Sequence, residues 1–81
     1  MTSRAPSVRR LTVDWKDVGS RIRVLRGFDL RQAEFAERIG VGQSHVSAIE
    51  RGIKEPGALV LYRIAKLYGK TVEWILTGTD K

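Results

Sequence analysis

The 81-residue chain contains no cysteine and only one histidine. Disulfide bonds and thiolate metal sites are therefore excluded, and a single imidazole cannot build a histidine-rich zinc or iron centre. Long apolar runs are also missing: none approaches the roughly 20 residues that span a bilayer, and the first dozen residues lack the hydrophobic stretch of a secretion signal. We therefore expect a cytoplasmic protein that uses no metal or cofactor and does not enter a membrane.

The short length also limits the function. A chain of this size buries only about 60% of the surface that its unfolded form exposes, which leaves no room for a deep substrate cavity beside a supporting core. Ser44 and His45 do not suggest a hydrolase, because neighbouring side chains on a helix point about 100° apart and no carboxylate has the spacing needed to orient the imidazole. We expect no enzymatic activity and no small-molecule substrate.

Basic residues outnumber acidic ones. The chain has 15 Lys and Arg against 9 Asp and Glu, which gives a formal charge of +6 and a pI near 10.3. Residues 1–26 hold seven of these bases and only two acids. Such an excess favours a polyanionic partner, first nucleic acid and second an anionic membrane surface, although many small basic domains bind nothing through their surplus charge.

The pattern along the chain predicts one domain behind a basic arm. Residues 1–13 contain no acid and three arginines, Arg4, Arg9 and Arg10, which is typical of a flexible arm. Apolar residues that recur at steps of three and four then predict helices over about 14–26, 31–39, 43–51, 56–68 and 72–76. We expect Pro56 in the first turn of the fourth helix and Thr71 as the cap of the fifth. The prediction is an all-α bundle of five short helices over residues 14–78, with a tail at 79–81.

Residues 32–51, QAEFAERIGVGQSHVSAIER, carry the most information. They satisfy the steric demands of a helix-turn-helix, in which Ala36 is small where the two helices cross and Gly40 adopts the positive φ that reverses the chain. The apolar residues predicted to face inward are Phe35, Ile39, Val41, Val46 and Ile49. The residues predicted to face outward are Gln43, Ser44, His45, Ser47 and Ala48. This outward strip is small, polar and uncharged, and such side chains suit the edges of DNA bases.

With these residues in view, residues 18–78 resemble a helix-turn-helix domain of the lambda-repressor and Cro type, also called XRE-like. The resemblance rests mainly on Gln32-Ala33-Glu34-Phe35-Ala36, Gly40-Val41, Gln43-Ser44, Ile49-Glu50-Arg51-Gly52 and Trp74-Ile75-Leu76-Thr77-Gly78. It implies that Gln43 and Ser44 contact base edges in the major groove, that Gln32 holds a phosphate and buttresses Gln43, and that Arg26 pairs with Glu50. Arg31 and Gly42 depart from the Ser or Thr usual at the two helix starts, and the turn after Arg26 is one residue shorter than usual.

The sequence therefore predicts a regulator of transcription that binds double-stranded DNA specifically, as a repressor and as a homodimer on a palindromic operator. The base-reading candidates are Gln43, Ser44, His45 and Ser47. The phosphate candidates are Gln32, Arg31, Arg51, Lys54 and Arg63. The dimer candidates are Trp74, Ile75 and Leu76; for Trp74, a place in the core or in the dimer contact is favoured over a role as a stacking platform. A phage-like repressor, a restriction-modification controller and a regulator that neutralises a toxin partner all remain compatible. The alternative from another class is a protein-binding module built on the same helices.

Overall fold

The computed structural model describes residues 6–79 and folds them into an all-α arrangement, as predicted. The five helices within this range are α1 (Trp15–Arg26), α2 (Gln32–Ile39), α3 (Gln43–Glu50), α4 (Ala58–Tyr68) and α5 (Val72–Thr77). Residues 6–14 form no helix and contain one turn, in which the Leu11 amide donates to the Val8 carbonyl at 2.9 Å. Arg4, one of the predicted arm residues, lies outside the described range.

Helices α3 and α5 begin where the sequence predicts, whereas α1, α2 and α4 begin one or two residues later for local reasons. Asp14 precedes α1 as its N-cap, and its Oδ1 accepts from the Lys16 amide at 3.0 Å. Arg31 is likewise extended and precedes α2, with its amide donating to the Glu34 carboxylate at 3.1 Å. The placement of Pro56 in the first turn of α4 was wrong: Pro56 is buried ahead of the helix, because Gly57 keeps an extended backbone. Thr71 caps α5 as expected, accepting from the Trp74 amide at 2.9 Å.

All five helices contribute to a single apolar core. Helix α1 packs against α3 and α5, whereas α2 packs against α3 and α4. The buried apolar residues are Val18, Ile22, Phe35, Ala36, Ile39, Val46, Ile49, Val60, Leu61, Ile64, Ala65 and Ile75. Removing this area from water is the main force that stabilises so small a domain, and it fixes α3 with one face inward and the other in solvent.

Helices α1 and α3 approach each other closely at Gly19. A Cβ placed on Gly19 would lie 2.6 Å from the Glu50 carbonyl oxygen and would also meet the Ile49 carbonyl oxygen. Both contacts are with backbone, which cannot rotate away as a side-chain tip can. The absence of a side chain at position 19 therefore sets how deeply the end of α3 sits against α1.

Within residues 6–79, no helix has the length and apolar character needed to cross a bilayer.

Candidate nucleic-acid interface

Helices α2 and α3 are joined by the three residues Gly40, Val41 and Gly42, and the junction is geometrically tight. Gly40 has φ +76° and ψ +33°, in the left-handed region that favours glycine. The Val41 amide donates to the Ala36 carbonyl at 2.9 Å, which closes the end of α2 as the chain reverses. Ala36 itself is 2% exposed, so the crossing has no space for a larger side chain. The two helices are thus held in a fixed relation, with the first residues of α3 exposed to solvent.

Gln43 and Ser44 occupy the first turn of α3, and both side chains are exposed. Ser47, one turn further on, is half-buried. No side-chain cap covers the start of this helix, because Gly42 stands at the N-cap. The polar groups nearest the projecting end of α3 are therefore an amide side chain, a hydroxyl and backbone amides, all able to donate hydrogen bonds to DNA.

His45 does not lie on the outer strip as predicted. The residue is only partly exposed, and its Nε2 atom is buried with no hydrogen-bond partner in the described part of the chain. The apolar spacing of Val46 and Ile49 fixes which side of α3 faces inward, but it does not show how far the flanking residue His45 is covered by the rest of the fold. Its imidazole contributes to packing around α3 in this conformation.

Glu50, the last residue of α3, joins three elements through its carboxylate. It accepts from Arg26 Nε at 2.7 Å and from Arg26 Nη2 at 3.0 Å, and the side chains of Glu50 and Arg26 are 4% and 13% exposed. Arg26 Nη1 also donates to the Leu30 carbonyl at 2.7 Å, which spans the turn between α1 and α2. The hydrogen bond with Glu50 raises the pKa of the Arg26 guanidinium above its ordinary value, so the guanidinium stays charged throughout the usual pH range.

Gln32 is the third partner of this carboxylate. Its Nε2 donates to Glu50 Oε1 at 2.9 Å, which differs from the expected contact of Gln32 with Gln43. The reason is that the acceptor at the end of α3 is charged, and a charge-assisted hydrogen bond is stronger than one between two neutral amides. The side-chain amide of Gln32 therefore joins the start of α2 to the last residue of α3.

Four other phosphate candidates have exposed side chains: Arg31, Arg51, Lys54 and Arg63. Arg31 lies at the start of α2, while Arg51 and Lys54 follow the end of α3. Arg51 Nε donates to the Ser47 carbonyl at 3.3 Å, which holds its stem along α3. Arg63 instead reaches from α4 to the end of α2, where Nη1 donates to the Ile39 carbonyl at 3.2 Å. Arg63 therefore has a structural contact that the sequence did not suggest.

The predicted dimer residues on α5 do not share one surface. Ile75 is fully buried in the core, so its assignment to a dimer interface is contradicted. Trp74 and Leu76 are half-buried, and Lys70 Nζ lies 4.6 Å from the centre of the Trp74 ring. The helix is turned this way because its central residue fills the space beside α1.

Arg21 was missed by the sequence interpretation. Its Nε and Nη2 donate to the carbonyls of Ile75 and Leu76 at 2.8 and 2.9 Å, which fastens the end of α5 to α1. A basic side chain at a helix C-terminus satisfies carbonyls that the helix leaves unpaired. The position of Arg21 on α1, partly towards the core, indicated that its side chain has a partner within the fold. The local sequence pattern could not identify that partner, because Ile75 lies 54 residues further along the chain.

Comparison with known proteins gives a consistent result. A family model described as helix-turn-helix matches residues 21–75. An uncharacterized HTH-type transcriptional regulator, y4dJ, of Sinorhizobium fredii is 36% identical over 67 residues, covering 82% of this chain and 87% of that protein. The structure of the P22 c2 repressor protein in complex with a synthetic operator has a TM-score of 0.71 and 30% identity, covering 76% of this chain and 96% of that one. The restriction-modification controller protein C.AhdI from Aeromonas hydrophila has a TM-score of 0.68 and 25% identity, with coverage of 76% and 96%.

Proposed function

The chain belongs to the helix-turn-helix family of the Cro/C1, lambda-repressor-like type, as the resemblance indicated, and we propose that it is a repressor that binds a palindromic operator as a homodimer. It is a DNA-binding regulator of transcription, and regulation rather than catalysis is the activity of this family. The repressor role, the homodimer and the operator symmetry are proposals, as is action in the cytoplasm.

Helix α3 is the proposed reading element. The observation that carries this assignment is the exposure of Gln43 and Ser44 in the first turn of α3, directly after the turn at Gly40. In helix-turn-helix proteins the first residues of the second helix meet base edges in the major groove. A glutamine amide can pair with adenine through two hydrogen bonds, while a serine hydroxyl can donate or accept. Ser47 is one turn further along and has a secondary role in this proposal.

His45 has no direct base contact in the proposal, since its Nε2 atom is buried. A contact from this residue would need the imidazole to rotate out of its packed position when DNA binds. We therefore restrict the proposed base-reading residues to Gln43, Ser44 and Ser47.

The proposed phosphate contacts flank the reading helix on both sides. Arg31 and Gln32 lie at the start of α2, and Arg51 and Lys54 lie beyond the end of α3. Contacts on both sides would fix the height and tilt of α3 in the groove, since phosphate contacts position a protein without reading sequence. Arg63 is a weaker candidate because its guanidinium already donates to Ile39.

The homodimer follows from the size of the reading surface. One short helix contacts only a few base pairs, too few to select one operator among the competing sites of a genome. Two copies related by a twofold axis place two reading helices about 34 Å apart, so that both enter successive major grooves on one side of the duplex. The P22 c2 repressor, similar in fold, was crystallised with a synthetic operator.

The arm at residues 1–13 is proposed as a separate segment before the domain at 14–78, and it carries Arg9 and Arg10 in exposed positions.

Selection of bound sequences from a random DNA pool tests the proposal. We expect enrichment of a sequence with twofold symmetry whose half-sites are about one helical turn apart, and saturation at two protein copies per site. Gln43→Ala, selected in parallel, should relax one position in each half-site. Enrichment of no sequence would contradict specific DNA recognition and would favour the protein-binding module, including one that neutralises a toxin. Enrichment of one half-site alone would contradict the homodimer.

A further inference from the structure

Ile53 is an exposed apolar residue in the loop that follows α3. It is 69% exposed and lies between two basic residues, Arg51 and Lys54, which are proposed phosphate contacts. Isolated apolar side chains are common on protein surfaces, so exposure alone assigns no role to Ile53. The way in which the loop is fixed to α3 is more informative, because it determines which side of the helix Ile53 adjoins.

The backbone joins Ile53 to the last turns of α3. Gly52 has φ +75°, in the left-handed region that favours glycine, and its amide donates to the Ile49 carbonyl at 3.0 Å. The next amide, that of Ile53, donates to the Ala48 carbonyl at 3.0 Å. These two bonds form a Schellman motif, which reverses the chain and returns Ile53 to the end of α3.

The loop is also packed against the start of α1. A Cβ placed on Gly52 would lie 2.8 Å from Lys16 Cα, in the first turn of that helix. Lys54 adds a second bond to the Ala48 carbonyl, with its amide nitrogen 3.3 Å from the oxygen. The loop is therefore held from two sides, and the position of Ile53 relative to α3 is fixed.

The motif sets Ile53 on the outer side of α3. In a Schellman motif, the residue after the glycine commonly makes an apolar contact with the residue whose carbonyl it caps, or with the residue before that one. Here these residues are Ala48 and Ser47, which are half-buried, whereas the core residues of α3 are Val46 and Ile49. The apolar contact of the motif therefore adjoins the reading side of the helix, with most of the Ile53 side chain left in solvent.

An exposed aliphatic side chain at the end of a reading helix is complementary to one base. Thymine presents a C5-methyl group in the major groove, whereas the other bases are distinguished there by their hydrogen-bond donors and acceptors. An isoleucine cannot pair with those polar groups, and covering them without a partner costs free energy. Contact with a methyl group has no such cost.

We propose that Ile53, together with the Ala48 methyl group, contacts the C5-methyl group of one thymine in each half-site of the operator. The inference rests on the proposed function and adds a loop residue to the reading set. Phosphate contacts by Arg51 and Lys54, on either side of Ile53, would hold the loop against the DNA backbone while the side chain between them reaches the base.

The thymine differs from the base that Gln43 reads. Ala48 lies five residues after Gln43 on α3, which corresponds to roughly 7.5 Å along the helix at about 1.5 Å per residue. This distance is about the height of two base-pair steps. Ile53 and Gln43 therefore contribute to specificity at separate positions of each half-site.

Deoxyuridine substitution tests the methyl contact, because it removes the C5-methyl group of thymine and leaves the hydrogen-bonding groups in place. Each thymine of the selected operator is replaced in turn in both half-sites, and the affinity of the full chain is measured by competition at one salt concentration. We expect one thymine per half-site at which wild type loses affinity roughly fourfold for each methyl group removed. Ile53→Ala should lose little at that position, because the methyl contact is already absent.

Parallel selection from the random DNA pool tests the residue. Ile53→Ala should lose the thymine preference at one position of each half-site and keep the other preferences. Ile53→Val retains a branched apolar side chain and should keep most of that preference. Val24→Ala is the matched control, since Val24 is 76% exposed on α1, outside the helix-turn-helix, and this variant should select the wild-type sequence. Melting midpoints should stay close to wild type, because neither side chain belongs to the core.

The outcomes separate this inference from the proposed function. Unchanged selection by Ile53→Ala, or wild-type affinity that no deoxyuridine alters, would overturn the thymine contact and keep the proposed function. An equal loss for Ile53→Ala on all sequences would also overturn it, because contact with deoxyribose reads no sequence. If wild type selects no sequence, the proposed function fails and the thymine contact fails with it.

Discussion

The guanidinium of Arg26 and the carboxylate of Glu50 form a two-pronged ion pair that ties the end of α1 to the end of α3, with N–O distances of 2.7 and 3.0 Å. The pair forms although the turn after Arg26 is a residue shorter than the family resemblance implies. Arg26 compensates by donating its remaining Nη1 to Leu30 within that turn. The same carboxylate also holds Gln32, so the starting point of α2 and the end of the reading helix share one acceptor.

Glu50→Gln is expected to destabilise the fold strongly. The substitution removes the charge that balances a mostly buried guanidinium, and breaking a buried pair in this way costs about 3 to 5 kcal/mol. A domain of this size has a total stability of roughly 5 to 15 kcal/mol, so the melting midpoint should fall by many degrees. Thermal melts followed by circular dichroism measure the change.

Glu55→Gln serves as the control for that variant, because Glu55 is an exposed carboxylate in the loop between α3 and α4. Its midpoint should stay within a degree or two of wild type, as expected for an exposed charge. Equal midpoints for the two variants would mean that the Arg26–Glu50 pair contributes nothing to the stability of the domain.

Base reading by Gln43 predicts a loss that depends on DNA sequence. Gln43→Ala should cost roughly 1 to 3 kcal/mol on the preferred operator and much less on unrelated DNA, because only the specific complex uses the amide. Competition binding at a single fixed salt concentration measures both. An unchanged preference among the selected sequences would remove Gln43 from the reading set.

Phosphate contact by Arg51 and Lys54 predicts the opposite pattern. Replacing either by Ala should weaken binding to all sequences alike and should lower the slope of log affinity against log salt by about one per lost contact. Lys66→Ala is the matched control, since Lys66 is an exposed base whose Nζ lies over the Tyr62 ring on α4. A salt slope that falls equally for Lys66→Ala would show only a general effect of net charge.

The sequence predicted the parts of this structure that depend on local patterns. Apolar spacing located all five helices to within two residues at each end, and Ala36 and Gly40 identified the crossing and the turn because their steric requirements are strict. The assignment of Gln43 and Ser44 to an exposed helix start followed from the same spacing.

What escaped prediction depends on contacts between distant segments. Helix α5 is six residues long and mostly apolar, so its periodicity does not reveal that Ile75 faces the core while Trp74 and Leu76 lie at its edge. The donation from Arg21 to the end of α5 joins residues more than fifty positions apart. The inward turn of His45 and the bond from Gln32 to Glu50 likewise reflect the angle at which α3 packs, which local spacing does not fix.

Gly19 provides the last prediction, because its role also comes from packing between distant helices. Helix propensity alone predicts that a glycine in the middle of α1 weakens this helix, so that Gly19→Ala would stabilise α1 by about 0.5 to 1 kcal/mol. In the fold, however, a methyl group at this position would lie 2.6 Å from the Glu50 carbonyl oxygen, which is backbone and cannot move without displacing α3. Overpacking of this kind typically costs about 1 to 3 kcal/mol, which exceeds the gain in helix propensity. Gly19→Ala should therefore lower the melting midpoint and, by moving the end of α3, weaken operator binding as well.

Gly57→Ser is the matched control. Gly57 precedes α4 with an extended backbone, and a Cβ added there would have no other atom within 4 Å. A serine cap at this position should therefore leave stability unchanged or raise it by roughly a few tenths of a kcal/mol. A Gly19→Ala variant more stable than wild type would show that α1 and α3 tolerate a wider separation than this close approach implies.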